Sequence, residues 1–301
     1  MIPENTSTET CRHPRTIVIK VGSNTLCDER GALNRRYIAS LADQVADLMS
    51  EGVRVVLVTS AAIAAGLEVL GWHERPTDID SLQAAASIGQ AALLDVYAAE
   101  FGRRDIPIGQ ILLTRYDLEH EKSYANACNA FERLLALGAL PLVNENDATA
   151  VDEIRYGDND TLAALVAKMI SAERVIFLTD VDGLYDANPA TNTGAHRYDR
   201  LDHVDAELLE AAPQGGTGSA IGSGGMRTKV QAAATLLECG IETVICDGRR
   251  GNVVRDCLDK SAPGTVFCLS QDREVTKSGN GSVGSDTLGA PLSDDSKGAE
   301  I

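Results

Sequence analysis

The sequence predicts an α/β protein with an open, mainly parallel sheet and helices on both faces, a three-layer sandwich. Aliphatic and β-branched runs of five or six residues alternate with longer segments whose apolar residues recur every three or four positions. The short runs are apolar on consecutive residues, as strands covered on both faces must be. No Pro/Ser-rich linker interrupts residues 16–269, so one large domain is expected over 16–270.

The elements follow in order. Thr16–Val21 (TIVIKV) is the first strand and ends at Gly22. A turn at Asp28–Gly31 leads to a helix opening near Asn34, with Ile38, Leu41, Val45 and Leu48 on one stripe, and Gly52 ends it. Val53–Val58 is the second strand, and Ser60 opens the next helix, where its hydroxyl suits an N-cap. Further strands are expected at 108–113, 139–143, 174–178 and 243–245, with helices near 81–101, 125–137, 160–170 and 228–239. Thr265–Leu269 closes the sheet. Residues 1–15 read as a flexible N-terminal segment, and 271–301, rich in Ser, Gly and Asp, as a disordered tail.

Composition narrows the function. The 301 residues carry 27 Lys+Arg against 44 Asp+Glu, a formal charge of −17, with only 4% aromatics. A phosphate backbone needs a basic surface, so no nucleic-acid partner is expected. No run of 18 apolar residues and no apolar leader is visible, so neither a membrane span nor secretion is expected. Seven cysteines without a CxxC pair read as reduced core thiols, and the expected location is cytoplasmic.

In an open α/β sheet, ligands bind beyond the C-terminal strand ends. There the chain places Lys20 with Gly22 and Ser23, then Thr59–Ala61, then Asn144–Asp147, then Thr179 and Asp180. Lys20 beside Gly22 can meet a phosphate, or it can simply reach solvent where its strand ends; the spacing is not that of a P-loop. Asn144–Asp147 and Gly157–Asp160 form two polar clusters within seventeen residues. Each could be a turn with an Asx cap, or together they could bind an amino acid's ammonium group or orient Mg²⁺ and lysines. The sharpest signal is Gly215–Gly225, six glycines in eleven residues, followed by Met226 and Lys229. Such a backbone can wrap an anion, and a phosphate would offset a cation placed near a helix N-terminus. Two lysines, a glycine loop and acidic residues fit phosphoryl transfer. The five histidines fall outside these clusters, which suits an acceptor already ionised at pH 7, such as a carboxylate.

Five segments carry a resemblance: IVIKVGSNTL (17–26), VLVTSAAIAAGLEVLG (56–71), PLVNENDATAVDEIRYGDNDTLAALVA (141–167), FLTDVDGLYDANP (177–189) and GSGGMRTKVQAA (222–233). Together they resemble the glutamate 5-kinase family, of the amino-acid-kinase fold. The resemblance implies ATP-dependent phosphorylation of the γ-carboxylate of L-glutamate to L-glutamyl 5-phosphate, the first step of proline biosynthesis. It implies ATP and Mg²⁺, a homo-oligomer (dimer or tetramer) and proline as feedback inhibitor. Residue by residue, it gives Lys20, Lys229 and Asp160 catalytic roles and makes Ser60, Asp147 and Asn159 glutamate ligands. Lys20, Gly22, Thr179, Asp180, Ser223, Gly224, Gly225 and Lys229 would line the nucleotide. No protein metal ligand is expected beyond a role for Asp160, with Mg²⁺ held mainly through ATP. Other acceptors of the same fold (acetylglutamate, aspartate, a nucleoside monophosphate) and a catalytically weak amino-acid sensor are the alternatives.

Two features depart from the family. Ala61 stands where VTSGAI has glycine, a substitution without cost only if its φ is negative. Bacterial members often add a PUA-type domain of a class associated with RNA binding, and the 31 residues after Ser270 are expected not to form one.

Overall fold

A computed structural model describes residues 15–150, 159–189, 191–212, 225–258 and 262–269. The N-terminal segment, most of the glycine loop, Gly157 and Asp158, and the C-terminal tail lie outside the described residues.

The strands are β1 (Thr16–Val21), β2 (Arg54–Val58), β3 (Ile108–Leu113), β4 (Leu140–Glu145), β5 (Arg174–Thr179), β6 (Arg200–Leu201), β7 (Glu242–Asp247) and β8 (Thr265–Phe267). They form an eight-stranded sheet in the order β3-β4-β2-β1-β5-β7-β8-β6. All pairs are parallel except β7 with β8. β1 sits between β2 and β5, in register Lys20↔Val58 and Lys20↔Phe177. From β1 the chain adds β2 beside it, then β3 at the edge and β4 between β3 and β2, and returns to β1's other side with β5. That reversal opens a crevice beyond the C-terminal end of β1.

The helices are α1 (Ser23–Leu26), α2 (Arg35–Ser50), α3 (Ala62–Leu70), α4 (Ile79–Gly102), α5 (Arg115–Glu119), α6 (Glu121–Ala136), α7 (Asn159–Met169), α8 (Ala206–Ala211), α9 (Met226–Glu238) and α10 (Val253–Asp256). Period-2 alternation assigns each strand residue to a layer. Ile17, Ile19, Val21, Val55, Leu57, Ile176 and Leu178 pack with α2, α3, α4 and α10. Val18, Val56, Val58, Val175 and Phe177 pack with α6, α7, α8 and α9. Lys20 shares the parity of Val18, so its side chain emerges on the layer of α7 and α9.

The expected strands and long helices are present, with shifted ends. β4 runs two residues further than expected, carrying Asn144 and Glu145 into the sheet. α4 starts earlier, because Asp78 caps it by accepting from Ser81 N at 2.8 Å. The short elements α1, α5, α8, α10 and β6 lack a run long enough to register as periodicity. One expectation is corrected: the N-cap of α3 is Ala61, not Ser60, and no side chain caps that helix.

α3 and α4 pack backbone to backbone. A Cβ added at Gly66 would lie 1.8 Å from Ala85 O, and one at Gly89 would lie 1.7 Å from Ala62 O. Both distances end on backbone, which cannot swing aside. The contact fixes the start of α3, and with it Ser60 and Ala61. Gly89→Ala is therefore expected to cost about 2–3 kcal/mol by overpacking, read as a lower melting temperature by calorimetry. Gly102→Ala, at a position of the same helix with nothing within 4 Å, is the control expected to leave stability unchanged or raised.

Candidate active site

Three ionised side chains meet beyond β1. Lys20 Nζ lies 2.7 Å from Asp160 Oδ1, and Lys229 Nζ lies 3.1 Å from Asp160 Oδ2. Lys20 is 4% exposed, Lys229 5% and Asp160 0%. The expectation that Lys20 might only reach solvent is thus replaced by a buried ion pair. The geometry follows from the elements: Lys20 ends a central strand, Asp160 opens α7, and Lys229 lies in the first turn of α9. Burial pushes the Asp160 carboxyl pKa up, but the charges of Lys20 and Lys229, with hydrogen bonds from Lys20 and Thr228, outweigh it. The net displacement is well below the usual carboxylate range, so Asp160 is ionised.

Thr228 joins the same carboxylate, donating to Oδ2 at 2.6 Å while also 2.8 Å from Gly225 O. Lys229 Nζ lies 3.4 Å from that carbonyl as well. Thr228 was not singled out from the sequence; its position beside Lys229 on a helix N-terminus was the available signal. Gly225 is the N-cap of α9 in extended backbone, with no side-chain cap. Ser223 and Gly224 lie outside the described residues.

The residue before Asp160 faces the other way. Asn159 Nδ2 lies 2.9 Å from Thr59 O, 3.0 Å from Ser60 Oγ and 3.0 Å from Asn144 Oδ1. These contacts fix the amide's orientation, since two of the three partners are oxygens that only accept. Among the described residues, Asn159 Oδ1 is buried with no hydrogen-bond partner. An orphaned buried acceptor costs about 1–3 kcal/mol, a cost that a ligand's N–H would remove.

Asp147 lies half-buried in the turn after β4. That turn is tied to the sheet by Asn146 N→Leu113 O at 2.8 Å, and to α4 by Gln90 Nε2→Glu145 O at 3.1 Å. Arg75, from the α3–α4 connection, stands in the field of Asp147: partial desolvation lowers its pKa and the carboxylate opposes that. Neither glutamine nor arginine was evident from sequence spacing.

On the opposite flank, Gly22 caps α1 with φ −79°, and its N–H donates to Leu178 O at 3.3 Å. A side chain at Gly22 would sit 3.8 Å from Lys20 Nζ, in the space beside the ammonium. Thr179 ends β5, and its hydroxyl donates to Asp180 Oδ1 at 3.1 Å. Asn24 donates to Asp180 Oδ2 at 3.2 Å, and Arg249 donates to Asp180 O at 2.8 Å. The structure therefore gathers Lys20, Asp160, Lys229 and Gly225 at the centre, Ser60 and Asn159 on one side, and Gly22, Thr179 and Asp180 on the other. Among the described residues, no group of three or more His, Cys, Asp or Glu is placed to hold a metal ion. No described helix is long and apolar enough to cross a membrane.

Ala61 has φ 73° and ψ 17°, the left-handed region. The condition for a cost-free alanine is not met. A residue with a Cβ costs roughly 1–2 kcal/mol there.

Residues 15–247 match the amino acid kinase family. The chain is 45% identical over 263 residues to a glutamate 5-kinase of Clostridium acetobutylicum, covering 87% of this chain and 98% of that protein. It is 42% identical over 253 residues to a glutamate 5-kinase of Neisseria meningitidis, covering 84% of this chain and 68% of the relative. Among solved structures, the UMP kinase of Ureaplasma parvum matches with a TM-score of 0.56 at 16% identity, over 85% of this chain and all of that one. The last likeness is one of fold.

Ala61→Gly is expected to stabilise the protein by about 0.5–1 kcal/mol, the relief of left-handed strain less glycine's greater freedom when unfolded. Thermal denaturation of the two proteins side by side checks this; an unchanged or lower melting temperature would contradict the strain.

Proposed function

The chain belongs to the amino acid kinase family, and from that premise we propose that it transfers the γ-phosphoryl group of ATP to the γ-carboxylate of L-glutamate, giving L-glutamyl 5-phosphate for proline biosynthesis. The observation that carries the reading is the buried Lys20–Asp160–Lys229 triad at the crevice beside β1.

Two anions must approach each other. The acceptor carboxylate is ionised at pH 7, so no general base is required. Its oxygen bonds to the γ-phosphorus as the bond from that phosphorus to the β,γ-bridging oxygen breaks, and ADP leaves carrying that oxygen. Lys20 binds the phosphates of ATP, and Lys229 holds the charge on the transferring group. Asp160 gathers both ammonium groups at the crevice. Gly22 and Gly225 offer close backbone approach to the phosphates, Ser223 and Gly224, outside the described residues, are assigned to the same nucleotide site, and Thr179 and Asp180 flank the nucleotide. Mg²⁺ supplies further neutralisation of phosphate charge. Both oxygens of Asp160 are engaged by the lysines, and the ion would be held mainly through ATP.

The glutamate ammonium donates to Asn159 Oδ1, the buried oxygen without a partner, and pairs with Asp147. Ser60, held by Asn159 Nδ2, completes the acceptor site. Proline, which shares the amino and α-carboxylate groups of glutamate, acts as feedback inhibitor of a homo-oligomer.

Hydroxylamine trapping of the acyl phosphate tests the reading. With ATP and Mg²⁺, hydroxamate is expected from L-glutamate; turnover of N-acetylglutamate or aspartate with none of glutamate would replace the acceptor. Lys229→Ala is expected to lower kcat by about 10²–10³, with a smaller change in the KM for ATP. Asp147→Ala should raise the glutamate KM at least tenfold and leave that for ATP nearly unchanged. The opposite split would move Asp147 out of the acceptor site.

A further inference from the structure

The two oxygens of Asp160 hold two ammonium groups unequally. Both donors are lysines, nearly as buried as each other, on one fully buried carboxylate. Lys20 sits 2.7 Å from Oδ1, but Lys229 stands off at 3.1 Å from Oδ2. What distinguishes the second oxygen is Thr228, whose hydroxyl donates to it at 2.6 Å. That is the range of a charge-assisted O–H···O⁻ bond and the shortest of the three described contacts.

The hydroxyl has a single proton and two acceptors in reach, Asp160 Oδ2 and, at 2.8 Å, Gly225 O. The charged and nearer acceptor takes the larger share. Gly225 O lies one helical turn before Thr228, so the contact to it pins the hydroxyl against the start of α9 and aims it at the carboxylate. Lys229 is the next residue, and its ammonium must share an oxygen already engaged.

We propose that Thr228 is a positioning residue that occupies Asp160 Oδ2 and keeps Lys229 loosely held, free to move onto the transferring phosphoryl group. The inference deepens the proposed phosphoryl transfer and rests on it. Lys20 keeps its tight contact and serves as the fixed member of the pair, while Lys229 is the member that changes partner. Without the hydroxyl, the full charge of Oδ2 attracts Lys229, which closes to a distance like that of Lys20. The ammonium must then break a tighter ion pair during each turnover. The binding of ATP and glutamate in the ground state changes little, because Thr228 acts through Asp160 and Lys229.

The test compares Thr228→Val, which keeps the branched shape and removes the hydroxyl, with Thr228→Ser, which restores the hydroxyl. Thr228→Ala carries the comparison if the valine variant does not fold. Steady-state kinetics by hydroxamate formation should show kcat about tenfold lower for T228V, with both KM values within about threefold of the unmutated protein. T228S should return kcat to within about twofold. An unchanged kcat in T228V, an equal loss in T228S, or an effect confined to the KM for ATP would overturn the proposal. A second readout needs no substrate. A crystal structure of T228V without ligand should show Lys229 Nζ drawn in from 3.1 Å to a distance from Asp160 Oδ2 like that of Lys20 from Oδ1. An unchanged distance would overturn the proposal by itself. Absence of hydroxamate from the unmutated protein would instead reject the proposed reaction, and that distance would still decide whether Thr228 keeps Lys229 off Asp160.

Discussion

A carboxylate without solvent contact constrains everything around it. Ionised and unpaired, Asp160 would cost several kcal/mol. It is tolerable only if compensating charges reach it, and they come from β1 and α9, elements distant in sequence. Three pieces of chain must therefore dock in one arrangement. The fold and the site are specified by the same contact. The ensemble also has two positive groups and one negative, in a chain whose formal charge is −17. The formal charge of the protein as a whole disfavours anions, while the Lys20–Asp160–Lys229 cluster carries one net positive charge. Under the proposed reaction, that local reversal would favour phosphate at this place over the rest of the surface.

The sheet explains why that place lies beside β1. Parallel strands align their C-terminal ends, and the return of the chain to the other side of β1 opens a crevice beyond that strand. Strand parity then decides which layer receives Lys20. Had the lysine occupied the position before or after, its side chain would have pointed toward α2 and α3, away from Asp160 and Lys229. The close packing at Gly66 and Gly89 does the equivalent for the acceptor side, setting the start of α3 against α4.

The long elements were legible because hydrophobic runs and helical stripes are local. Lys20, Lys229 and the polar clusters stand out by their positions at strand and helix ends, but their convergence is not visible in any window of sequence. Asp160 illustrates the limit. An Asn-Asp pair before a helix resembles a cap, and only tertiary burial turns its second residue into a hub. Thr228 was missed for a related reason: a threonine in a first helical turn usually looks inward to its own backbone, as it also does here toward Gly225. Local sequence makes Ser60 the expected cap, because serine suits that position. In the fold its hydroxyl meets Asn159, and the cap passes to Ala61, a residue with no capping side chain and a strained φ. The tertiary contact with Asn159 outweighs the local capping preference there, and the strained backbone falls beside the candidate site.

Asn159 and Asp160 also show how one peptide step can connect two chemistries. Their side chains diverge, one to the ends of β2 and β4, the other to the lysines. Any displacement of the start of α7 moves both sets of contacts together, so under the proposed transfer the acceptor and phosphoryl groups would keep a related position. For a reaction between two anions, that separation is the sensitive quantity. Like charges about 4 Å apart repel by about 4 kcal/mol at an effective dielectric of 20, and the repulsion grows as the bond forms. A site that fixes the distance and supplies ammonium groups at the midpoint opposes that rise without proton transfer. None of the described hydrogen bonds that build the site involves a histidine, in keeping with an acceptor that arrives already ionised.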